Sequence, residues 1–85
     1  MMSNARVKLP PELDTMPRFQ LEDCIVQAHL GSVDTWLVKK YIFDRTAQAD
    51  LAAELGWTRC TVSAHLKRAF RHLTEIAENL YINHA

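Results

Sequence analysis

Residues 48–73 read QADLAAELGWTRCTVSAHLKRAFRHL, and the fold depends on how this run divides into elements. Leu51, Ala52 and Leu55 stand at i, i+1 and i+4, one apolar face of a short helix. Gly56 follows, the residue that enters the left-handed conformation at a helix C-terminus with least steric cost. Thr58 is then placed to cap a new helix, its hydroxyl accepting a backbone N–H from the next turn. Val62, Leu66, Ala69, Phe70 and Leu73 recur at helical spacing and form the buried stripe of that second helix. The small Ala52 sits where two steeply crossing helices need their backbones close. The run predicts helix, tight turn, helix.

The second helix has two unlike faces. At 100° per residue, Leu66, Ala69, Leu73 and Leu80 fall within about 40° of Val62. The opposite face carries Cys60, Ala64, Lys67 and Arg71, flanked by Thr61 and Arg68 on one side and Ser63 on the other. From Thr58 to Leu73 there are Arg59, Lys67, Arg68, Arg71, His65 and His72 and no acid, although the whole chain has formal net charge +0. The charge is thus segregated onto one element, and Glu75 and Glu78 reverse its sign one and two turns later. A helix entering a DNA major groove tip-first would bring Arg59, Cys60, Thr61 and Ala64 nearest the bases. Arg can read a guanine edge with two hydrogen bonds, and Thr and Ala can meet a thymine methyl. Thr58, Ser63, Lys67, Arg68 and Arg71 are placed for phosphates, which supply affinity and orientation without sequence information. Repulsion between carboxylates and phosphate predicts that the footprint stops near Arg71.

Working outward, residues 1–17 hold all three prolines among polar residues and predict a flexible N-terminal arm, with Arg6 and Lys8 as its basic residues. Residues 18–85 form the expected domain. Phe19, Leu21, Cys24, Ile25 and Ala28 predict a first helix over 19–30, ended by Gly31. A second, over 33–43, has Ser32 as cap and Trp36, Leu37 and Tyr41 in its core-facing stripe. The third covers 47–55, with Thr46 or Ala47 at its start and Asp50 complementing the helix dipole. The fourth runs over 58–81, because no Gly or Pro interrupts it. Its apolar stripe continues through Ile76, Ala77, Leu80 and Tyr81, longer than a two-helix reader needs, and predicts a homodimer interface. The competing arrangement has the first helix cover that stripe with Phe19, Leu21 and Ile25, leaving a monomer. The expected fold is all-α, a single four-helix domain whose helix-turn-helix occupies 47–73.

Several function classes lose support. Eighty-five residues allow one small domain. Two glycines and three prolines are too few for a loop-rich β fold. Cys24 and Cys60 match no metal-ligand or redox spacing and read as a core residue and a free thiol. His29, His65, His72 and His84 form no close pair with a third ligand, so no metal is expected. No nucleophile–base pair, phosphate loop or carboxylate pair stands out, so no catalytic residue, no cofactor and no enzymatic activity are expected. The absence of a long apolar run or a signal-peptide core predicts a cytoplasmic protein with no membrane partner.

The run TVSAHLKRAFRHL resembles the recognition helix of two related groups. One is region 4 of sigma-70-type factors, where an apolar pair like Val62 and Leu66 precedes an ending like Arg68, Ala69 and Leu73. The other is the LuxR-type regulators, whose recognition helix carries a run similar to Thr61, Val62, His65 and Leu66. Trp36 to Leu73 also resembles the sigma-like domain of some phage antitermination proteins. The resemblance covers about half of the chain and implies a module that holds a promoter or operator major groove, with RNA polymerase as a further partner in the sigma case. No phosphoacceptor or ligand domain precedes the motif, so the resemblance points to a free-standing small regulator of the phage or plasmid kind. The expected function is sequence-specific binding of double-stranded DNA to regulate transcription. The alternative is a sigma-region-4-like protein-interaction module, an RNA polymerase-binding adaptor, decoy or inhibitor without its own DNA site.

Overall fold

Helical periodicity and a few residues able to take left-handed backbone conformations divide the chain, and the computed structural model describes residues 7–82. In order there are α1 (Pro11–Asp14), α2 (Arg18–Ala28), α3 (Ser32–Ile42), α4 (Gln48–Leu55) and α5 (Arg59–Ala77), the last continued by a π-helical stretch, Glu78–Ile82. No strand occurs among the described residues. The all-α single globule is as expected, with five α-helices among the described residues where the sequence predicted four. No helix among the described residues is long and apolar enough to cross a membrane.

The 19 residues of α5 span about 28 Å and touch each of the other four helices. Val62, Leu66, Leu73 and Ala77 are wholly inaccessible, with Ala69 and Phe70 nearly so. Against them pack Leu13 of α1, Leu21, Cys24 and Ile25 of α2, Leu37 and Val38 of α3, and Leu51 and Ala52 of α4, all in one continuous core. The predicted stripe of α5 is therefore the axis of the molecule. Gly56 takes φ 71°, and the amides that follow α4 turn back on it: Trp57 N–H donates to the Ala52 carbonyl at 2.9 Å and Gly56 N–H to Ala53 at 3.4 Å. These are the paired bonds of a glycine-terminated helix. Thr58 Oγ1 then accepts the Thr61 N–H at 3.1 Å, capping α5 as the sequence predicted.

The boundaries of α2 and α3 are corrected. His29, not Gly31, adopts the left-handed conformation after α2, with φ 51°, and Gly31 stands outside α3 at φ 95°. Ser32 lies inside α3 and makes no side-chain cap. The carbonyl of Ala28, left open by the end of α2, is met by His72 Nε2–H from α5 at 3.0 Å. That long-range cap lets α2 stop three residues before the glycine. Phe19 is 69% exposed, so it leaves the predicted stripe of α2, whereas Trp36 and Tyr41 of α3 are half-buried.

The N-terminal arm is corrected as well, from Val7 onward; its first six residues, Arg6 among them, lie outside the described residues. Val7 and Leu13 are buried, and α1 packs on α5. Proline does not exclude this order, because Pro11 opens α1, where its missing N–H has no helical partner to lose. The dimer stripe changes in a related way. Within the same chain α2 packs on α5, joined to its C-terminal part at His72–Ala28 and Tyr81–Asp23, and Ala77 is interior while Ile76 packs on the core. Only Leu80 and Tyr81 of that set remain exposed, and the Tyr81 hydroxyl donates to Asp23 Oδ2 of α2 at 2.7 Å.

Candidate functional site

The exposed face of α5 is set by what its other face must do. With Val62, Leu66, Ala69 and Leu73 committed to the core, Arg59, Cys60, Thr61, Ala64, Lys67, Arg68 and Arg71 are turned to solvent, and all seven are exposed. Among the described residues no carboxylate lies within ion-pair distance of Arg59, Lys67, Arg68 or Arg71. Four acids pair with other residues: Glu22 with Arg18 at 3.1 Å, Asp44 with Lys40 at 3.4 Å, Asp34 with His65 at 2.8 Å and Glu75 with His72 at 3.8 Å. The result is a face of four unneutralised cations beginning at a helix N-terminus, whose partial charge is also positive.

Three expected site residues have structural duties. Thr58 Oγ1 is engaged by the Thr61 N–H and lies 3.0 Å from Thr61 Oγ1, so both hydroxyls stabilise the start of the helix. Ser63 is half-buried and its hydroxyl accepts from Gln48 Nε2, which draws it from the outer face into an interior network. Cys60 is a free, exposed thiol between Arg59 and Thr61, whereas the Cys24 thiol is buried, which together with the nearby Asp23 charge pushes its pKa up.

Two supports of the helix were invisible in the local sequence. Gln48 is buried on the inner side of α4. Its Oε1 accepts the Val7 N–H at 2.8 Å while its Nε2 reaches Ser63, and the Tyr41 hydroxyl donates to the Val7 carbonyl at 2.7 Å. On the other flank His65 holds Asp34 of α3, and its ring packs on Trp57 with centroids 4.6 Å apart. Opposite flanks of α5 are thus tied to α3 and α4 by polar groups. The only available signal was the occurrence of Gln48 and Ser63 at positions adjoining apolar stripes, which does not identify a partner.

No known protein family, characterised protein or solved structure matches this chain. Of the histidines considered as metal ligands, His29 ends α2 in the left-handed conformation, His65 packs on Trp57 and His72 caps α2, while His84 lies outside the described residues. Among the described residues no group of three or more His, Cys, Asp or Glu is arranged to hold a metal ion. Away from α5, Trp36, Lys40, Thr46, Asp50, Leu51 and Glu54 line a shallow groove of about 160 Å³ between α3 and α4, with charges of both signs. The basic face of α5 has no comparable opposing charge.

Proposed function

We propose that this chain is a sequence-specific double-stranded DNA-binding regulator of transcription, with α4 and α5 as its helix-turn-helix and α5 as the recognition helix. The observation that carries this reading is the solvent-facing set Arg59, Lys67, Arg68 and Arg71, exposed and without an acidic partner among the described residues. A phosphate backbone is the polyanion such a face attracts, and release of its counterions drives the association. Arg59, Cys60, Thr61 and Ala64 sit at the leading end, where base edges would be read. Lys67, Arg68 and Arg71 follow along the groove as phosphate contacts. The resemblance of Thr61–Leu73 to recognition helices of sigma region 4 and LuxR-type regulators supports the same assignment.

The chain also fits a homodimer on DNA, two recognition helices set about one helical turn apart. Its remaining apolar surface supports this: Leu80 and Tyr81 are exposed beside α2, where Tyr81 bonds Asp23 and Phe19 and Val26 flank Asp23 on one exposed face.

An electrophoretic shift screen against the DNA flanking its own gene, repeated over a range of salt, tests the proposal. Binding should weaken linearly in log–log form, by about 0.9 per phosphate contact. A chain that shifts no fragment, or whose association with RNA polymerase is indifferent to salt, would instead be the protein-interaction module. That second reading is favoured by one observation: the hydroxyls of Thr58, Thr61 and Ser63 are engaged within the chain, leaving fewer polar groups free for DNA.

A further inference from the structure

Val7 is held more firmly than a lead-in to a helix requires. Its side chain is buried, its N–H donates to Gln48 Oε1 at 2.8 Å, and its carbonyl accepts from the Tyr41 hydroxyl at 2.7 Å. Apolar contact alone would secure a valine, but here both backbone polar groups are also fixed, by residues 34 and 41 positions away. The other end of the same Gln48 amide donates to Ser63 of α5. A buried amide satisfied at both ends is a rigid link. It therefore sets Val7 beside one particular flank of α5.

That flank borders the cationic face. Ser63 and Lys67 are i, i+4 neighbours on α5, stacked one turn apart. The residue after Val7 is Lys8, which is exposed and has no carboxylate within ion-pair distance among the described residues. Its backbone is anchored through Val7 in the free protein, so little backbone entropy remains to be lost when it binds.

We infer that the Val7–Lys8 segment is a second part of the DNA-binding surface: Lys8 contacts the phosphate backbone alongside Lys67, and Gln48 with Tyr41 positions it there. This rests on the DNA-binding reading above and extends its footprint beyond α5. Gln48 and Tyr41 act through Val7 and touch no DNA themselves.

Phosphate contacts are independent of sequence, so a labelled duplex of mixed sequence is a sufficient probe. Fluorescence anisotropy between 50 and 200 mM salt is compared for the unaltered chain, Lys8→Ala, Tyr41→Phe and the double variant. Loss of one contact should shrink the affinity change across that range by about 3- to 4-fold for Lys8→Ala. In the Tyr41→Phe background the same substitution should have less than half of that effect, because the anchor is weakened. Gln48→Leu is the stronger disruption and is used where circular dichroism shows it folded; Tyr41→Phe, which removes one oxygen from a half-buried ring, carries the test otherwise. An unchanged salt dependence in Lys8→Ala overturns the inference while leaving α5 as the DNA reader. An effect of Lys8→Ala that is identical in both backgrounds overturns the positioning role. Failure of the unaltered chain to bind the duplex at any salt overturns the parent reading itself, and the inference with it.

Discussion

Arg59 and Lys67 share an exposed helix face, yet the proposed docking on DNA assigns them different work. Arg59 stands in the first turn of α5, which in that proposal would lie nearest the bases, and Lys67 lies two turns further on. Arg59→Ala should relax base preference by about 1–3 kcal/mol, if it reads a base with two hydrogen bonds. Lys67→Ala and Arg68→Ala should weaken binding about equally on all sequences. Competition between operator and random duplexes separates the two, and equal losses for Arg59→Ala on both would move it to the phosphates. The thiols offer a second probe of the same face. Cys60 is exposed and should react promptly with a disulfide reagent, with bound DNA slowing it; Cys24, buried and with its pKa raised, should react only on unfolding. Labelling of Cys60 at an unchanged rate on the complex would remove the tip of α5 from the interface.

The turn between α4 and α5 rests on two residues with separable costs. Gly56 has φ 71°, but a side-chain carbon added there would meet nothing within 4 Å. Gly56→Ala should therefore cost only the backbone term, about 1–2 kcal/mol. Thr58→Ala removes the cap on Thr61 N–H and should cost about 0.5–2 kcal/mol. Leu66 is wholly inaccessible on the inner face of α5, and Leu66→Ala should cost about 2–5 kcal/mol by leaving a cavity in the shared core. Urea denaturation ranks the three. A Leu66→Ala loss no larger than that of Thr58→Ala would contradict the central place of α5.

All helices of the globule close on α5, and its far end is held to α2 by the Tyr81–Asp23 hydrogen bond. That bond, with lesser help from burial and the Asp23 charge, raises the Tyr81 phenol above its ordinary pKa of about 10. Because the folded chain keeps this proton more tightly than the unfolded one, the contact supports folding fully below that ordinary value and is lost as pH climbs from there through the raised value of the folded chain. Denaturation midpoints at pH 9 and 10.5 should fall further for the unaltered chain than for Tyr81→Phe. Equal falls would mean that the bond does not hold in solution. At the same end of the molecule, Leu80 and Tyr81 bear on assembly. Sedimentation at micromolar concentration should show a dimer that Leu80→Asp dissociates without unfolding, since Leu80 is exposed in the single chain. A monomer on bound DNA would overturn the dimer.

Periodicity and residue chemistry within a single turn settled much of this protein before any coordinate. The stripe from Val62 to Leu73, the left-handed Gly56, the Thr58 cap and the solvent-facing basic residues of α5 are all consequences of neighbours three or four residues apart, so the chain displays them locally. Tertiary structure decided whatever needed a distant partner. His72 caps α2 by reaching Ala28 across 44 positions, Gln48 and Tyr41 hold Val7, and Ala77 is buried within the single chain. A cap or buried amide has no periodic signature, and an apolar stripe does not say whether its cover comes from the same chain or from another. Only the packed structure, in which each buried polar group must find its partner, made those choices.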